Sequence, residues 1–248
     1  MLHRLPPTAH TRFHRPLTDG DTGCSGQSMG AALAKLTVAT RHFAATPVIG
    51  HVPGWTGQTD GVIQEPGDKS TYWKVPFEWT GSHSLSNAAA PADTSWVTAE
   101  DDQRFVGVVA EVLAVSPDAS DITNVSAMGS LEAARHLIKA VPDWGFSRKR
   151  AWWQLLMIRD EAAGFVLPVT YDNCARDGLD EATIFHMGVV PVHRGRGLGR
   201  LLLRQATQTL VDHGVWRIYC DTASNNDPMI HLFQAEGWTQ LPPHQQPI

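Results

Sequence analysis

Residues 184–204 read Ile184-Phe-His-Met-Gly-Val-Val-Pro-Val-His-Arg-Gly-Arg-Gly-Leu-Gly-Arg-Leu-Leu-Leu-Arg204, and the rest of the chain is organised around them. The stretch begins as an apolar run that suits a buried strand. It then passes through Pro191 into closely spaced glycines and ends with leucines at helical spacing. A strand, a glycine loop and a helix are therefore predicted in succession, an arrangement typical of anion sites.

The glycines at 195, 197 and 199 stand where the helix must begin, although each costs about 1 kcal/mol relative to alanine in a helix. Without side chains they let a ligand approach the unpaired N–H groups of the first turn. Arg196, Arg200 and Arg204 follow at i, i+4 spacing, so they repel one another on one helix face unless an anion lies near them. A solvated basic face is the alternative, but beside a glycine loop the pattern favours phosphate binding.

Two common phosphate motifs fit poorly. A P-loop needs Lys-Ser or Lys-Thr after the glycines, and neither is present. A dinucleotide fingerprint that starts at Gly195 would need its third glycine at Arg200, although Asp221 would suit a ribose. An NAD(P)-binding oxidoreductase is therefore the least favoured alternative.

The residues Val189-x-Pro191 and Arg194-x-x-Gly197-x-Gly199 resemble the acyl-CoA signature of the GCN5-related N-acetyltransferases (GNAT family). A second stretch, Asn226 to Trp238, resembles a later segment of that family. The resemblance implies an α/β (α+β) fold in which a mixed central sheet is flanked by helices. It also implies that the sheet splays between the strands that end near Val189 and Asp221.

The resemblance further implies a site for acetyl-CoA as cosubstrate, with no metal. The main chain of Met187, Gly188 and Val189 would hold the pantetheine and polarise the thioester carbonyl. The loop from 194 to 200 would bind the pyrophosphate. The further cofactor-binding residues are Arg194, Gly195, Arg196, Gly197, Leu198, Gly199, Arg200, Asn226 and Phe233.

The candidates for proton transfer are Glu181 first and Asp221 second. Many relatives carry a glutamate where this chain has Thr183, and Glu181 lies two residues earlier on the same strand face. His186 is a further candidate, although a core histidine is the simpler interpretation. Where many relatives use a tyrosine to protonate the leaving thiolate, this chain has Phe233, so water, Tyr219 or another group would have to serve.

Three regions are predicted. Residues 1–28 form a mobile segment, with Met29 as an alternative start, and residues 29–96 form a β-rich extension packed on the catalytic domain. The catalytic domain is residues 97–248. The predicted elements are strands at 36–43, 72–79, 152–158, 165–171 and 216–221, helices from 98 to 117, near 130–139 and from 227, a polar loop at 118–128, a turn at 160–164, and a tail at 241–248.

The composition of the chain argues against several classes of binding partner. The formal charge is −5 and no apolar run approaches the length of a membrane helix, so neither nucleic acid nor membrane is an expected partner. Three widely spaced cysteines predict neither a disulfide framework nor a zinc site. The N-terminus lacks the apolar core of a signal peptide, which indicates a cytoplasmic protein.

The predicted function is transfer of an acyl group, in the first instance acetyl, from acetyl-CoA directly to a primary amine of a small molecule. Two alternatives remain open: an acyltransferase whose donor sits on an acyl carrier protein, which the arginines would dock, and a non-catalytic acyl-CoA sensor. An acidic loop at 172–181 would suit a cationic acceptor. The sequence identifies neither the acceptor nor the oligomeric state.

Overall fold

The computed structural model describes residues 71–81, 90–91, 93–98 and 103–247. Within these ranges the chain forms one nine-stranded sheet with helices on both faces. The strands are β1 (Thr71–Trp79), β2 (Thr94–Thr98), β3 (Phe146–Ser147), β4 (Gln154–Ile158), β5 (Glu161–Tyr171), β6 (Glu181–Val189), β7 (Arg217–Ala223), β8 (Thr239–Gln240) and β9 (His244–Pro247). The helices are α1 (Gln103–Leu113), α2 (Ala119–Met128), α3 (Ser130–Ala140), α4 (Leu198–His213) and α5 (Asp227–Ala235).

The sheet is mixed and runs in the order β2-β4-β5-β6-β7-β1-β8, with β3 added to β5 and β9 added to β1. All paired strands are antiparallel except β6 and β7. The parallel pair is joined only at its start, where Glu181 pairs with Arg217 and Ala182 with Ile218. Because β6 continues to Val189 and β7 to Ala223, the two strands diverge and leave the opening that the family resemblance implied.

The helices divide between the two faces of the sheet. On one face, called here the α1 face, Phe105 of α1 packs edge-on against Phe165 of β5. A Cβ atom at Gly188 of β6 would lie 2.3 Å from Val112 Cγ1, so α1 can approach the strand only because this residue is glycine. On the opposite face, Leu202 of α4 is fully buried and lies against β5 near Gly164. The core therefore has two layers, one on each side of the sheet.

Strand β1 lies inside the sheet, between β7 and the C-terminal strands. Pro76 pairs with Asp221 and Phe77 with Cys220, while Trp73 pairs with Gln245 on the other side. Phe77 also stacks on Phe233 of α5 with ring centroids 4.7 Å apart. The strand predicted at 72–79 is confirmed, whereas the strand predicted at 36–43, the segment 1–28 and Met29 lie outside the described residues. The three-region division of the chain stays a prediction.

The polar loop predicted at 118–128 was wrong, because residues 119–128 form α2. Asp118 caps this helix, since its side chain accepts a hydrogen bond from the N–H of Ser120 at 2.9 Å. Asp121 adds a negative charge in the first turn, where the helix dipole favours it. The helix, ASDITNVSAM, has few apolar residues and no clear apolar face, so apolar periodicity did not predict it.

Two smaller boundaries also differ from the prediction. The turn between β4 and β5 is confined to Arg159 and Asp160, so residues 161–164 belong to β5. The predicted tail contains β9, whose residues pair with β1 from Thr71 to Lys74. The helices predicted near 130 and from 227 are confirmed as α3 and α5. The helix predicted from 98 to 117 is confirmed over Gln103–Leu113 as α1, but its predicted start was wrong, because Thr98 is the last residue of β2 and pairs with Gln154. In the described ranges, no helix combines the length and apolar character that crossing a membrane requires.

Candidate active site

The opening between β6 and β7 leads into a cleft of about 1160 Å³. Pockets for a single small ligand usually measure about 300–1,000 Å³, so the cleft can hold two reactants at once. Its two ends differ in construction. The loop end is formed by Met187–Val189, the loop 194–200 and the start of α4, and the charged end is formed by Lys74, Asp118, Asp121, His186 and Asp221.

The loop end presents main-chain groups to the cleft. Gly197 has a φ of +75°, a left-handed conformation that favours glycine, and a Cβ atom added there would meet no atom within 4 Å. The N–H groups of residues 195, 197 and 199 have no hydrogen-bond partner within the described part of the chain. Because α4 is 16 residues long, its dipole adds positive potential at this point. The loop end is therefore built to receive an anion.

The residues predicted to bind the cofactor lie together along this cleft. Those that line it are Met187, Gly188, Val189, Arg194, Gly195, Gly197, Leu198, Gly199, Arg200, Asn226 and Phe233. Arg196 is absent from the lining, and its guanidinium lies 3.1 Å from Nδ1 of His193. Arg194 lines the cleft, but its Nε donates to the carbonyl oxygen of Val189 at 3.1 Å. The arginine thus ties the loop to the end of β6.

The arginine stripe of α4 has a partner within the domain. The carboxylate of Glu236 lies 2.8 Å from Nε of Arg200 and also accepts hydrogen bonds from Arg204. Only 3% of the Glu236 side chain is exposed. The internal carboxylate of Glu236 therefore relieves the repulsion between Arg200 and Arg204 in the absence of a ligand. Phosphate binding at this loop stays a prediction.

At the charged end, Lys74 of β1 forms ion pairs with Asp118, which caps α2, and with Asp221 of β7. Nζ of Lys74 lies 2.5 Å from Oδ2 of Asp118 and 3.3 Å from Oδ1 of Asp221. The hydroxyl of Tyr72 donates to Asp118 and lies 2.9 Å from Oγ of Ser120. Burial alone would lower the pKa of Lys74, but Asp221 and Asp118 outweigh it and raise that pKa above its ordinary value. Lys74 is therefore charged and links β1 to α2 and β7.

The two carboxylate oxygens of Asp221 differ in their partners: Oδ1 pairs with Lys74, and Oδ2 has no hydrogen-bond partner among the described residues. Its side chain is only 7% exposed, and Oδ1 is the atom that faces Lys74. Oδ2 is buried and has no hydrogen-bond partner among the described residues. A buried carboxylate oxygen without a donor is uncommon, because desolvation without compensation is costly. Since Asp221 lines the cleft, a ligand N–H is a suitable donor for it.

The second charged group is a histidine–aspartate pair. Nε2 of His186 lies 3.2 Å from Oδ2 of Asp121, which also accepts a hydrogen bond from Oγ of Ser116. The imidazole stacks on Phe165 with ring centroids 5.7 Å apart. Burial would lower the pKa of His186, but the Asp121 carboxylate and its hydrogen bond outweigh burial and raise that pKa. The pKa of Asp121 is lowered, because His186 and its hydrogen bonds outweigh the effect of burial.

Four rings, called here the aromatic wall, line the cleft beside the charged end: Trp144, Phe146, Tyr171 and Phe185. Phe185 is the extra residue of a β-bulge, since Leu167 pairs with His186 and the next residue of β5, Pro168, pairs with Ile184. Its ring lies 5.2 Å from that of Trp144 and 5.4 Å from that of Phe146. Burial raises the pKa of the Tyr171 hydroxyl well above its ordinary value, so this group keeps its proton near neutral pH.

The residues proposed for proton transfer lie in different places. Glu181 is fully buried, faces Arg217 with 3.6 Å between Oε1 and Nε, and is absent from the cleft lining, whereas Asp221 is part of that lining. Phe233 lines the cleft and its ring is buried against Phe77, whereas Tyr219, like Glu181, is absent from the lining. Sequence reasoning missed Lys74, Tyr72, Asp118 and Asp121. The Asp-x-x-Asp spacing of a helix start was a signal for the last two residues, and Lys74 gave none.

Similarity to known proteins identifies the family of the chain. A family model described as "Acetyltransferase (GNAT) family" matches residues 62–238. Over 75 residues, 30% of this chain and 39% of the relative, the chain is 32% identical to an "Uncharacterized N-acetyltransferase ycf52-like" of Prochlorococcus marinus. Over 62 residues, 25% of this chain and 42% of the relative, it is 36% identical to the "[Ribosomal protein bS18]-alanine N-acetyltransferase" of Salmonella typhimurium.

The matched segment thus spans 39% and 42% of the length of these two curated relatives. Among solved structures, a GCN5-related N-acetyltransferase from Sphaerobacter thermophilus is similar, with a TM-score of 0.48 and 16% sequence identity. That similarity covers 71% of this chain and 52% of the other.

Proposed function

The chain belongs to the acetyltransferase (GNAT) family, and from that premise we propose that it transfers an acetyl group from acetyl-CoA directly to a primary amine of a small molecule. The observation that carries the proposal is the cleft itself. At one end of the cleft, main-chain N–H groups stand free at a helix N-terminus, and at the other end a buried carboxylate oxygen lacks a donor. Such a cleft suits a phosphate-bearing donor and an amine acceptor that meet in the middle.

Acetyl-CoA fits the loop end in two parts. The pyrophosphate would lie on the N–H groups of residues 195–199, where a Cβ atom at Gly197 would meet only open space. The pantetheine would follow β6 through the opening, because the strand edge beyond Ala182 is not paired with β7. The N–H groups of that edge would then bind the amide carbonyls of the pantetheine and polarise the thioester carbonyl.

Asp221 is the proposed general base. Lys74 holds Oδ1, so Oδ2 is the atom available to an acceptor amine. As the amine nitrogen bonds to the acetyl carbon and the C–S bond breaks, Oδ2 takes the proton that the nitrogen loses. Glu181 is not proposed for this role, because its partner is Arg217 and it does not line the cleft.

The leaving thiolate needs a proton that Phe233 cannot supply. Tyr171 lines the cleft and retains its hydroxyl proton, whereas Tyr219 does not line it. We therefore propose Tyr171 as the acid, with solvent water as its alternative. A thiolate is also a tolerable leaving group without protonation, so the substitution of tyrosine by phenylalanine at this position does not exclude activity.

The two alternatives lose support in different ways. A carrier protein would dock on the arginines of α4, but Glu236 already occupies Arg200 and Arg204. A sensor without turnover would have no use for a clamped carboxylate with a free oxygen in the cleft. The observations at the charged end therefore favour an enzyme that acts on free acetyl-CoA.

Titration calorimetry with acetyl-CoA, CoA and NAD tests the donor, and thiol release against a panel of amines tests the transfer. Saturable binding of acetyl-CoA and CoA but not NAD, with thiol release on at least one amine, is the expected result. Binding without thiol release on any amine would favour the sensor. Absence of CoA binding would overturn the proposal.

A further inference from the structure

The charged end and the aromatic wall line the same cleft, and Tyr171 of the wall lies close enough to Asp221 for the two groups to interact electrostatically. We infer, on the basis of the function proposed above, that the acceptor is a cationic amine carried on an aromatic body, with the amine at Asp221 and the body against the aromatic wall. Neither the family nor the relatives assign an acceptor to this chain. The inference deepens the proposed function by naming a substrate class.

The charged residues of the cleft favour an acceptor that carries a positive charge. Asp118, Asp121 and Asp221 supply three carboxylates to this part of the cleft, against the cations Lys74 and His186. Because Lys74 bridges two of these carboxylates, it has little capacity left to bind an acceptor anion. The free Oδ2 of Asp221 requires a hydrogen-bond donor, which an ammonium group provides and a carboxylate does not. Before transfer the bound ammonium releases one proton to solvent water, and the neutral amine then attacks while Oδ2 takes its second proton.

The aromatic wall favours an acceptor whose amine is attached to an aromatic group. Phe146 pairs with Tyr171 across β3 and β5, and Phe185 bridges from Phe146 to Trp144, so the rings form a continuous surface. Trp144 and Phe185 remain partly exposed, although the other two rings are buried. Ring faces attract cations and stack on aromatic groups, but they offer few hydrogen bonds to a sugar. An aromatic amine therefore matches this surface better than an aminosugar does.

The sheet also disfavours a peptide acceptor. An extended peptide binds most readily along a free strand edge, where main-chain groups are unpaired. The outer edge of β7 is occupied by β1 from Lys74 to Trp79, so Asp221 lies on a strand that has no free outer edge. The free edge of β6 inside the opening is the one assigned above to the pantetheine. A compact amine needs neither edge.

The test measures kcat/KM for phenethylamine, hexylamine, glucosamine and an alanyl peptide, and calorimetry measures binding of each amine to the complex with CoA. Phenethylamine should give the highest kcat/KM and the tightest binding. Replacement of Trp144 by Leu should lower kcat/KM for phenethylamine about 5- to 30-fold, the effect of losing roughly 1–2 kcal/mol of interaction. Trp144→Phe, which keeps a ring, should stay within about threefold of the parent, since much of an aromatic contact survives.

Trp73→Ala is the matched control, because this tryptophan is 50% exposed and does not line the cleft. Its kcat/KM for every amine should equal that of the parent. A preference for glucosamine or the alanyl peptide would overturn the inference, as would equal losses on phenethylamine and hexylamine in Trp144→Leu. Thiol release from none of the four amines would overturn the proposed function. In that case the calorimetric ranking of the amines would still decide the substrate class.

Discussion

The loop end of the cleft comes mostly from one continuous stretch, residues 187–200, whereas the charged end gathers residues from β1, α2, β6 and β7. The loop end uses main-chain N–H groups, and its side chains are mostly absent or turned to internal partners such as Glu236. The charged end uses side chains held by one another, with Lys74 between Asp118 and Asp221. The first construction suits a ligand common to a family, and the second can change with the acceptor.

This difference predicts how each end responds to mutation. Main-chain groups cannot be removed by substitution, so the loop end is vulnerable to added bulk or charge. Side-chain groups can be removed singly, so the charged end is vulnerable to isosteric replacement. Damage at the loop end should therefore appear as lost CoA affinity, while damage at the charged end should appear as lost turnover.

The largest effect is expected for Asp221→Asn. The amide keeps the size of the side chain but cannot accept the proton, so kcat should fall by about 10²–10⁴, the usual contribution of a general base. The affinity for CoA should be unchanged in calorimetry, because the loop end is intact. Thiol release under saturating acetyl-CoA measures the effect.

Glu181→Gln is the matched control for that variant. Its carboxylate is buried against Arg217, so the substitution should lower the melting temperature while kcat stays close to that of the parent. If Glu181→Gln lost turnover and Asp221→Asn retained it, the assignment of the base would be reversed.

The second-largest effect is expected for Gly199→Glu, which should weaken CoA binding at the loop end. Gly199 has an ordinary helical conformation, and a Cβ atom there would only touch Leu232 at 3.4 Å, so the fold should tolerate the change. Its carboxylate would compete with the pyrophosphate at the positive end of α4, and the affinity for CoA should fall about 100-fold or more, by analogy with the loss of a charged contact. Calorimetric titration with CoA measures the loss.

Gly199→Ala separates charge from bulk in this experiment, because it adds the Cβ atom without the carboxylate. We expect it to bind CoA nearly as well as the parent. Equal and large losses in both variants would mean that steric exclusion, and not an anion site, explains the result. Unchanged affinity in Gly199→Glu would remove the pyrophosphate from this loop.

The same contrast explains how far the sequence predicted the molecule. The strand–loop–helix from 184 onwards was predictable, because glycine spacing and apolar periodicity are local signals and the chemistry belongs to the main chain. Helix α2 was missed, since its N-cap carries the signal and its apolar pattern does not. The partnership of Lys74 with Asp221 depends on β1 lying beside β7, a pairing across nearly the whole domain that no local pattern encodes.

The smallest effect is expected for His186→Gln, and it concerns the charged end alone. The pKa of His186 in the folded protein lies above its ordinary 6.5, so its charged pair with Asp121 contributes fully below pH 6.5. That contribution is lost as the pH rises through the raised pKa. Glutamine keeps a hydrogen-bond donor but never carries the charge, so at pH 6 the variant should be less stable than the parent by about 1–2 kcal/mol, and the difference should shrink by pH 9.

Urea unfolding of both proteins at pH 6 and pH 9 measures this difference, and Gly199→Ala provides the comparison from the loop end. Because that substitution touches no titrating group, its effect on the free energy of unfolding should be the same at both pH values. A pH-independent difference for His186→Gln would mean that the imidazole is neutral in the folded protein. Asp118, Asp121 and Asp221 would then face Lys74 as their one cation at the charged end, which would strengthen the selection of a cationic acceptor.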